Sequence, residues 1–185
     1  MLTRDFLLNA DCKTAFGAIE ESLLWSAEQR AASLAATLAC RPDDGSVWIF
    51  GYGSLMWNPA LEYRESCTGT LPGWHRAFCL RLTAGRGSAT QPGRMLALKE
   101  GGRTTGVAYR LPDDTLEEEL TLLWKREMIT GCYLPTWCKL DLDDGRTVNA
   151  LVFIMDPRHP LFEADTSAQV IAPLIARASG PLGTN

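Results

Sequence analysis

One glutamate occupies a place where a helix pattern calls for an apolar side chain. With residues set about 100° apart around an axis, Leu116, Leu120, Leu123, Trp124 and Met128 share one stripe. Glu127 lies near the middle of that stripe, four residues from Leu123 and seven from Leu120. Glu117 and Glu118 take the stripe's edge and the opposite face, where charges are solvated. A carboxylate held out of water resists ionisation, so its pKa rises toward the range useful for proton transfer at neutral pH. Two plainer arrangements compete with an acid/base role. Glu127 could be one half of a buried ion pair with Arg81 or Arg126. Alternatively the helix is rotated and Glu127 is exposed, an option kept open by Leu122 and Ile129, which fall off the stripe.

A second chemical signal is the turn Phe50-Gly51-Tyr52-Gly53-Ser54-Leu55, which follows the apolar run Val47-Trp48-Ile49-Phe50. Glycines on either side of one residue let a backbone turn sharply and aim several N–H groups at one point, a nest for an anion or a developing oxyanion. Better-known glycine motifs fail on the letters. A dinucleotide fingerprint needs glycine where Met56 stands, and Asn58-Pro59 interrupts any following helix. A phosphate loop needs Gly-Lys-Ser/Thr, and no lysine is near. A nucleophile elbow needs glycine where Tyr52 and Met56 stand. A plain strand-to-loop turn fits the glycine pattern equally well.

Other candidates carry less. Tyr133 follows the helix closely enough to point its phenol at the same pocket, or simply to pack. Arg86-Gly87-Ser88 and Pro92-Gly93-Arg94 form a polar glycine-rich connection in which an arginine could hold a substrate carboxylate, although a solvated loop is the default. The two histidines, His75 and His159, are far apart and poor catalytic candidates. Six tryptophans, with Trp48, Trp57 and Trp74 spaced along the middle, fit a core better than a ligand box.

The elements that must position these groups follow from the rest of the chain. At 185 residues one domain is expected, with an N-terminal helical segment over 1–45 and the remainder over 46–185. From Thr14 to Cys40 there is no proline, and apolar residues recur at helical spacing, which predicts one long helix until Arg41-Pro42-Asp43-Asp44-Gly45 breaks it. Strands are predicted at Val47–Phe50, His75–Leu82, Met95–Leu98, Thr105–Leu111, Thr136–Leu142 and Thr147–Met155, the last two joined by the turn Asp143-Asp144-Gly145. The helix from Leu116 is expected to start near Asp114 or Thr115 and to stop at a left-handed Gly131. A last helix over Thr166–Ala178 contains Pro173 and should kink there. Strands mostly follow one another without helices between them, so an α+β fold with a mixed or barrel-like sheet is expected over a doubly wound one.

Bulk properties narrow the partners. The net charge of −4 and the lack of any Lys/Arg cluster disfavour nucleic acid and anionic membranes. No apolar run approaches the roughly 20 residues of a membrane-spanning helix. The six cysteines, Cys12, Cys40, Cys67, Cys79, Cys132 and Cys138, contain no Cys-x-x-Cys pair, so a structural zinc is a poor reading. With no secretory signal after Met1, they are expected to be reduced thiols in the cytoplasm.

Taken together, several segments resemble the ChaC-type γ-glutamylcyclotransferases of the glutathione-specific class. They are Trp48 to Trp57, Arg86-Gly87-Ser88 with Pro92-Gly93-Arg94, Gly106-Val107-Ala108-Tyr109, and Arg126-Glu127 with Gly131-x-Tyr133, in matching order over roughly 47–184. The resemblance implies a small mixed β-barrel with peripheral helices. It implies that Glu127 is catalytic and that Ile49, Phe50, Gly51, Tyr52, Gly53, Ser54, Leu55 and Tyr133 bind substrate. It implies glutathione as substrate, 5-oxoproline and Cys-Gly as products, and neither cofactor nor metal. That family continues past Gly183-Thr184-Asn185 with a further helix bearing an Asn-x-x-Tyr-Leu pattern, so a chain shorter than its relatives is expected. Two rival readings stay open: cyclisation of other γ-glutamyl amines, and a non-catalytic interaction protein on the same fold.

Overall fold

The computed structural model describes residues 3–9, 17, 19–43 and 45–185; Cys12, Thr14 and Asp44 lie outside them. A short helix α1 (Arg4–Leu8) comes first, and α2 (Ala27–Ala39) follows. The long helix expected from Thr14 is therefore much shorter. Residues 21–23 form a single 3-10 turn, and Ser26 starts α2 through a capping box with Gln29, whose backbone N–H and side chain are both engaged. That reciprocal cap satisfies two orphan backbone donors at the helix start, which a period-based boundary does not register.

The body is a closed five-stranded barrel in the order β1-β3-β2-β4-β5. Its strands are β1 (Trp48–Gly51), β2 (Glu65–Leu82), β3 (Gly93–Arg110), β4 (Tyr133–Leu142) and β5 (Thr147–Met155). Neighbours are antiparallel except β1 and β5, whose parallel pairing of Trp48 with Ala150 and Ile49 with Leu151 closes the ring. The expected break between Met95–Leu98 and Thr105–Leu111 does not occur. Gly101 and Gly102, both at positive φ, absorb a bulge inside one continuous β3.

Side chains alternate between two cores. Trp48, Phe50, Leu71, Leu98, Ala108, Val152 and Ile154 pack together with no helix residue among them, which makes this the barrel interior. Ile49, Leu151, Phe153 and Met155 face outward and are covered by α4 (Leu116–Glu127) and α2. Thr115 stands at the α4 N-cap, but its hydroxyl makes no cap hydrogen bond. The helix ends at Glu127, short of the expected cap glycine. Gly131 is left-handed (φ 64°), and Trp25 lies against it, so that a Cβ there would fall 1.9 Å from the indole. A final helix α5 (Ala168–Arg177) runs through Pro173, and the two-residue strands β6 (Ser179–Gly180) and β7 (Gly183–Thr184) pair at the end of the chain.

Candidate active site

A cavity of about 720 Å³ opens between the C-terminal end of α4, the residues after β1, and the loop joining β2 to β3. Its size is that of a site for a small organic ligand. Tyr52, Gly53, Ser54, Leu55, Glu127 and Tyr133 all line it. Ile49 and Phe50 do not. They are fully buried strand residues, one in each core. Gly51 is the last residue of β1 and is likewise absent from the cavity wall.

The turn itself differs from the loop expected. After Gly53 the chain enters one helical turn, α3 (Ser54–Trp57), and Asn58 ends it. Each glycine has its own reason. A Cβ on Gly51 would approach the Leu55 Cβ to 2.9 Å, so glycine lets the helical turn fold back on the strand. A Cβ on Gly53 would meet nothing within 4 Å, so this glycine keeps space open beside the wall. The Arg76 guanidinium donates to the Tyr52 carbonyl at 2.7 Å, and the Tyr109 hydroxyl donates to the Leu55 carbonyl at 3.0 Å. Both fix the backbone from behind.

Arg126 joins the turn to the glutamate. Its Nε donates to Glu127 Oε1 at 2.8 Å, one Nη donates to Ser54 Oγ at 3.0 Å, and the other donates to the carbonyls of Asn58 and Pro59. The ion partner of Glu127 is thus Arg126; Arg81 pairs with Glu163 instead. The Glu127 side chain is 16 % exposed, and it faces the cavity. Burial raises its pKa, with the charge and hydrogen bond of Arg126 opposing.

The groups around Glu127 are held protonated. Burial pushes the phenols of Tyr52 and Tyr133 well above their usual range, helped by the nearby Glu127 charge. Tyr52 donates to the Phe153 carbonyl at 2.7 Å, and the Tyr133 and Tyr52 hydroxyls are themselves hydrogen-bonded. The Cys132 thiol is pushed up to about 12, chiefly by burial. A thiol this hard to ionise is a poor nucleophile. Nor does histidine activate Ser54, whose described partner is a guanidinium. His75 bonds the Gly101 carbonyl, and His159 accepts from the Leu161 N–H while its other nitrogen meets the Thr130 carbonyl. Among the described residues, no group of three or more His, Cys, Asp or Glu side chains is placed to hold a metal ion.

The sequence leaves Arg94 either a holder of a substrate carboxylate or, by default, part of a solvated loop. It is a buried member of β3 on the cavity wall, 6 % exposed, paired with Glu163 at 3.1 Å. Arg81 and Arg86 join it there. Trp57, expected in the core, is 82 % exposed at the cavity.

A closed mixed barrel that brings a half-buried carboxylate and a fixed turn to one cavity defines an α+β class of protein. A family model described as "ChaC-like protein" matches residues 47–185, and the chain belongs to that family. The chain is 90 % identical over 185 residues to the glutathione-specific gamma-glutamylcyclotransferase of Escherichia coli (strain K12), covering all of this chain and 80 % of that one. It is 37 % identical over 146 residues to glutathione-specific gamma-glutamylcyclotransferase 1 of Danio rerio, covering 76 % of this chain and 74 % of that one. A solved yeast gamma-glutamyl cyclotransferase specific to glutathione shares the fold, with a TM-score of 0.68 at 21 % identity over 76 % of this chain and 82 % of that one.

Proposed function

We propose that this chain is a glutathione-specific γ-glutamylcyclotransferase in which Glu127 is the general acid/base. The observation that carries the reading is Arg126, which bonds Glu127 and Ser54 at once and so ties the proton-transfer group to the turn in one cavity. The activity named for the 90 % identical relative supports the substrate class.

The α-amino group of the γ-glutamyl residue attacks the carbonyl of its own side-chain amide. A new C–N bond closes the five-membered lactam of 5-oxoproline, and the amide C–N bond to cysteine breaks. Glu127 takes the proton that the attacking ammonium must lose and returns one to the departing amine of Cys-Gly, so the protons balance. N–H groups along Tyr52–Leu55 meet the oxyanion, and Tyr133 and Tyr52, whose hydroxyls are committed to each other and to the Phe153 carbonyl, act as packing surface. The fixed turn holds the substrate bent on itself, converting attack into a near-contact event. The described helices α1 and α2 form an N-terminal arm on the catalytic unit 46–185 within one domain, α2 being joined to α4 by a Trp124–Ser33 hydrogen bond of 3.2 Å. A reducing, cytoplasmic setting is supported by Cys40, Cys67, Cys79, Cys132 and Cys138, all free thiols.

Glu127→Gln keeps the shape and removes the base. The expected result is a fall in 5-oxoproline release from glutathione of about 100-fold or more, with an unchanged circular dichroism spectrum. Wild-type turnover by this variant would refute the assignment.

A further inference from the structure

A second set of charges reaches the same cavity from a different element. Glu127 and Arg126 enter from α4, whereas Arg81 and Arg94 are cross-strand partners near the end of the β2–β3 hairpin. Glu163 stands between those two arginines and gives one oxygen to each, Oε1 to Arg81 at 2.5 Å and Oε2 to Arg94 at 3.1 Å. One carboxylate thus answers two guanidiniums, and the set keeps a positive surplus. Arg94 is the more constrained of the pair. Its side chain is 6 % exposed, one Nη makes a long contact of 3.3 Å to the Gly93 carbonyl, and its Nε is buried with no hydrogen-bond partner.

An unanswered N–H on a buried guanidinium is costly and rare in native structures. On a cavity wall it is the signature of a donor whose acceptor arrives with the ligand. Guanidinium groups meet carboxylates with short, charge-assisted bonds. We infer that Arg94, seconded by Arg81, binds the terminal carboxylate of the peptide portion of the substrate, which is the glycyl carboxylate when the substrate is glutathione.

This inference rests on the cyclotransferase reading, which fixes which carboxylate is available. The γ-glutamyl α-carboxylate shares its carbon with the reacting amine, so it must stay with Glu127 and the turn. The glycyl carboxylate lies at the other end of the molecule, about two residues or ~7 Å away in extended form. Its recognition therefore acts on the leaving group. Binding energy realised there positions the scissile amide without touching it, so removal of the contact lowers kcat as well as raising KM. Glutathione is thereby separated from γ-glutamyl amines that lack a carboxylate at that distance.

The test uses two substrates and one variant. Release of 5-oxoproline is measured from glutathione and from its C-terminal glycinamide, with the wild-type chain and with Arg94→Met. Wild type should prefer glutathione by about 10- to 100-fold in kcat/KM, the effect of one charge-assisted contact. Arg94→Met should erase that preference by slowing glutathione and leaving the amide little changed. Equal turnover of both substrates by wild type would overturn the inference, and so would an equal loss on both by the variant. Should Arg94→Met fail to fold, Arg81→Met at the more exposed position should narrow the preference in part, and an unaltered preference there would sink it. Calorimetric binding of Cys-Gly and its amide to the wild-type chain needs no turnover. Tighter binding of the free acid supports the carboxylate contact even if 5-oxoproline is never released, and equal binding overturns it; absence of 5-oxoproline from either substrate counts against the cyclotransferase reading instead.

Discussion

Helix α4 carries two carboxylates withdrawn from bulk water, Glu119 and Glu127, and they are met in opposite ways. Glu119 is fully buried and saturated: both guanidinium nitrogens of Arg4 reach it at 2.7 and 2.6 Å, and the Glu62 backbone N–H donates to it at 2.9 Å. Glu127 receives one described bond of 2.8 Å and leaves its remaining acceptor capacity facing a cavity. Glu119 holds α1 and the residues before β2 against the helix. Glu127 is left with unspent capacity, and burial raises its pKa. A buried carboxylate is a common structural device, and what marks one for chemistry is the shortage of partners on an accessible side.

The comparison can be broken or sharpened in steps. Glu119→Gln should have the largest effect on stability, about 3 kcal/mol in a urea melt, because it strips the charge from a buried pair and strands a guanidinium that is 29 % exposed. The turnover of the folded fraction should stay near wild type; a loss of turnover with stability intact would erase the distinction between the two glutamates. Arg126→Lys comes next. Lysine keeps the charge but cannot reach Glu127, Ser54 and the Asn58 and Pro59 carbonyls at once, so kcat should drop about 10-fold, with a smaller change in KM. The smallest effect is on the pH dependence of stability. Folding raises the pKa of Glu127, so the folded chain keeps this proton to higher pH than the unfolded chain. The stabilisation of the neutral acid is complete below the ordinary carboxyl value of about 4.3. It is lost as pH rises through the raised folded value. Wild type should therefore lose stability relative to Glu127→Gln across that window, and parallel curves for the two would argue that Glu127 is not held in a dry setting.

Much of this arrangement was legible in the letters, and the failures have physical causes. Strand β5 was placed at its correct residues because Val148 to Met155 is apolar enough to serve two cores at once. Glu127 was found because it interrupts a stripe, and Leu122, which seemed off that stripe, is buried on the side of α4 that meets α1, between Glu119, bonded to Arg4, and Lys125, bonded to the Leu7 carbonyl. Glu119 passed unnoticed for the complementary reason. Its partners Arg4 and Glu62 are remote in sequence, and no local pattern reports a bond between such distant residues. For Arg94 the letters offer a carboxylate holder or, by default, a solvated loop, because Pro92-Gly93 precedes it, whereas strand pairing with Arg81 places it in β3. Ile49 and Phe50 belong to a matched motif whose contiguous letters mix stave residues with cavity residues.

Trp25, whose side chain is seated on Gly131 and whose backbone N–H donates to the Ile129 carbonyl at 2.9 Å, has a consequence for how the molecule is made. The arm that bears it leaves the ribosome early, yet its docking ground is synthesised about a hundred residues later, at the low contact density and high loop cost of a long-range closure. Strand β1 waits in the same way for β5. Order of synthesis and order of assembly therefore run in opposite directions, and the nascent chain carries the apolar faces of α2 and β1 uncovered until the last third has emerged. This interval is when the polypeptide is most exposed to aggregation and most in need of a holding chaperone.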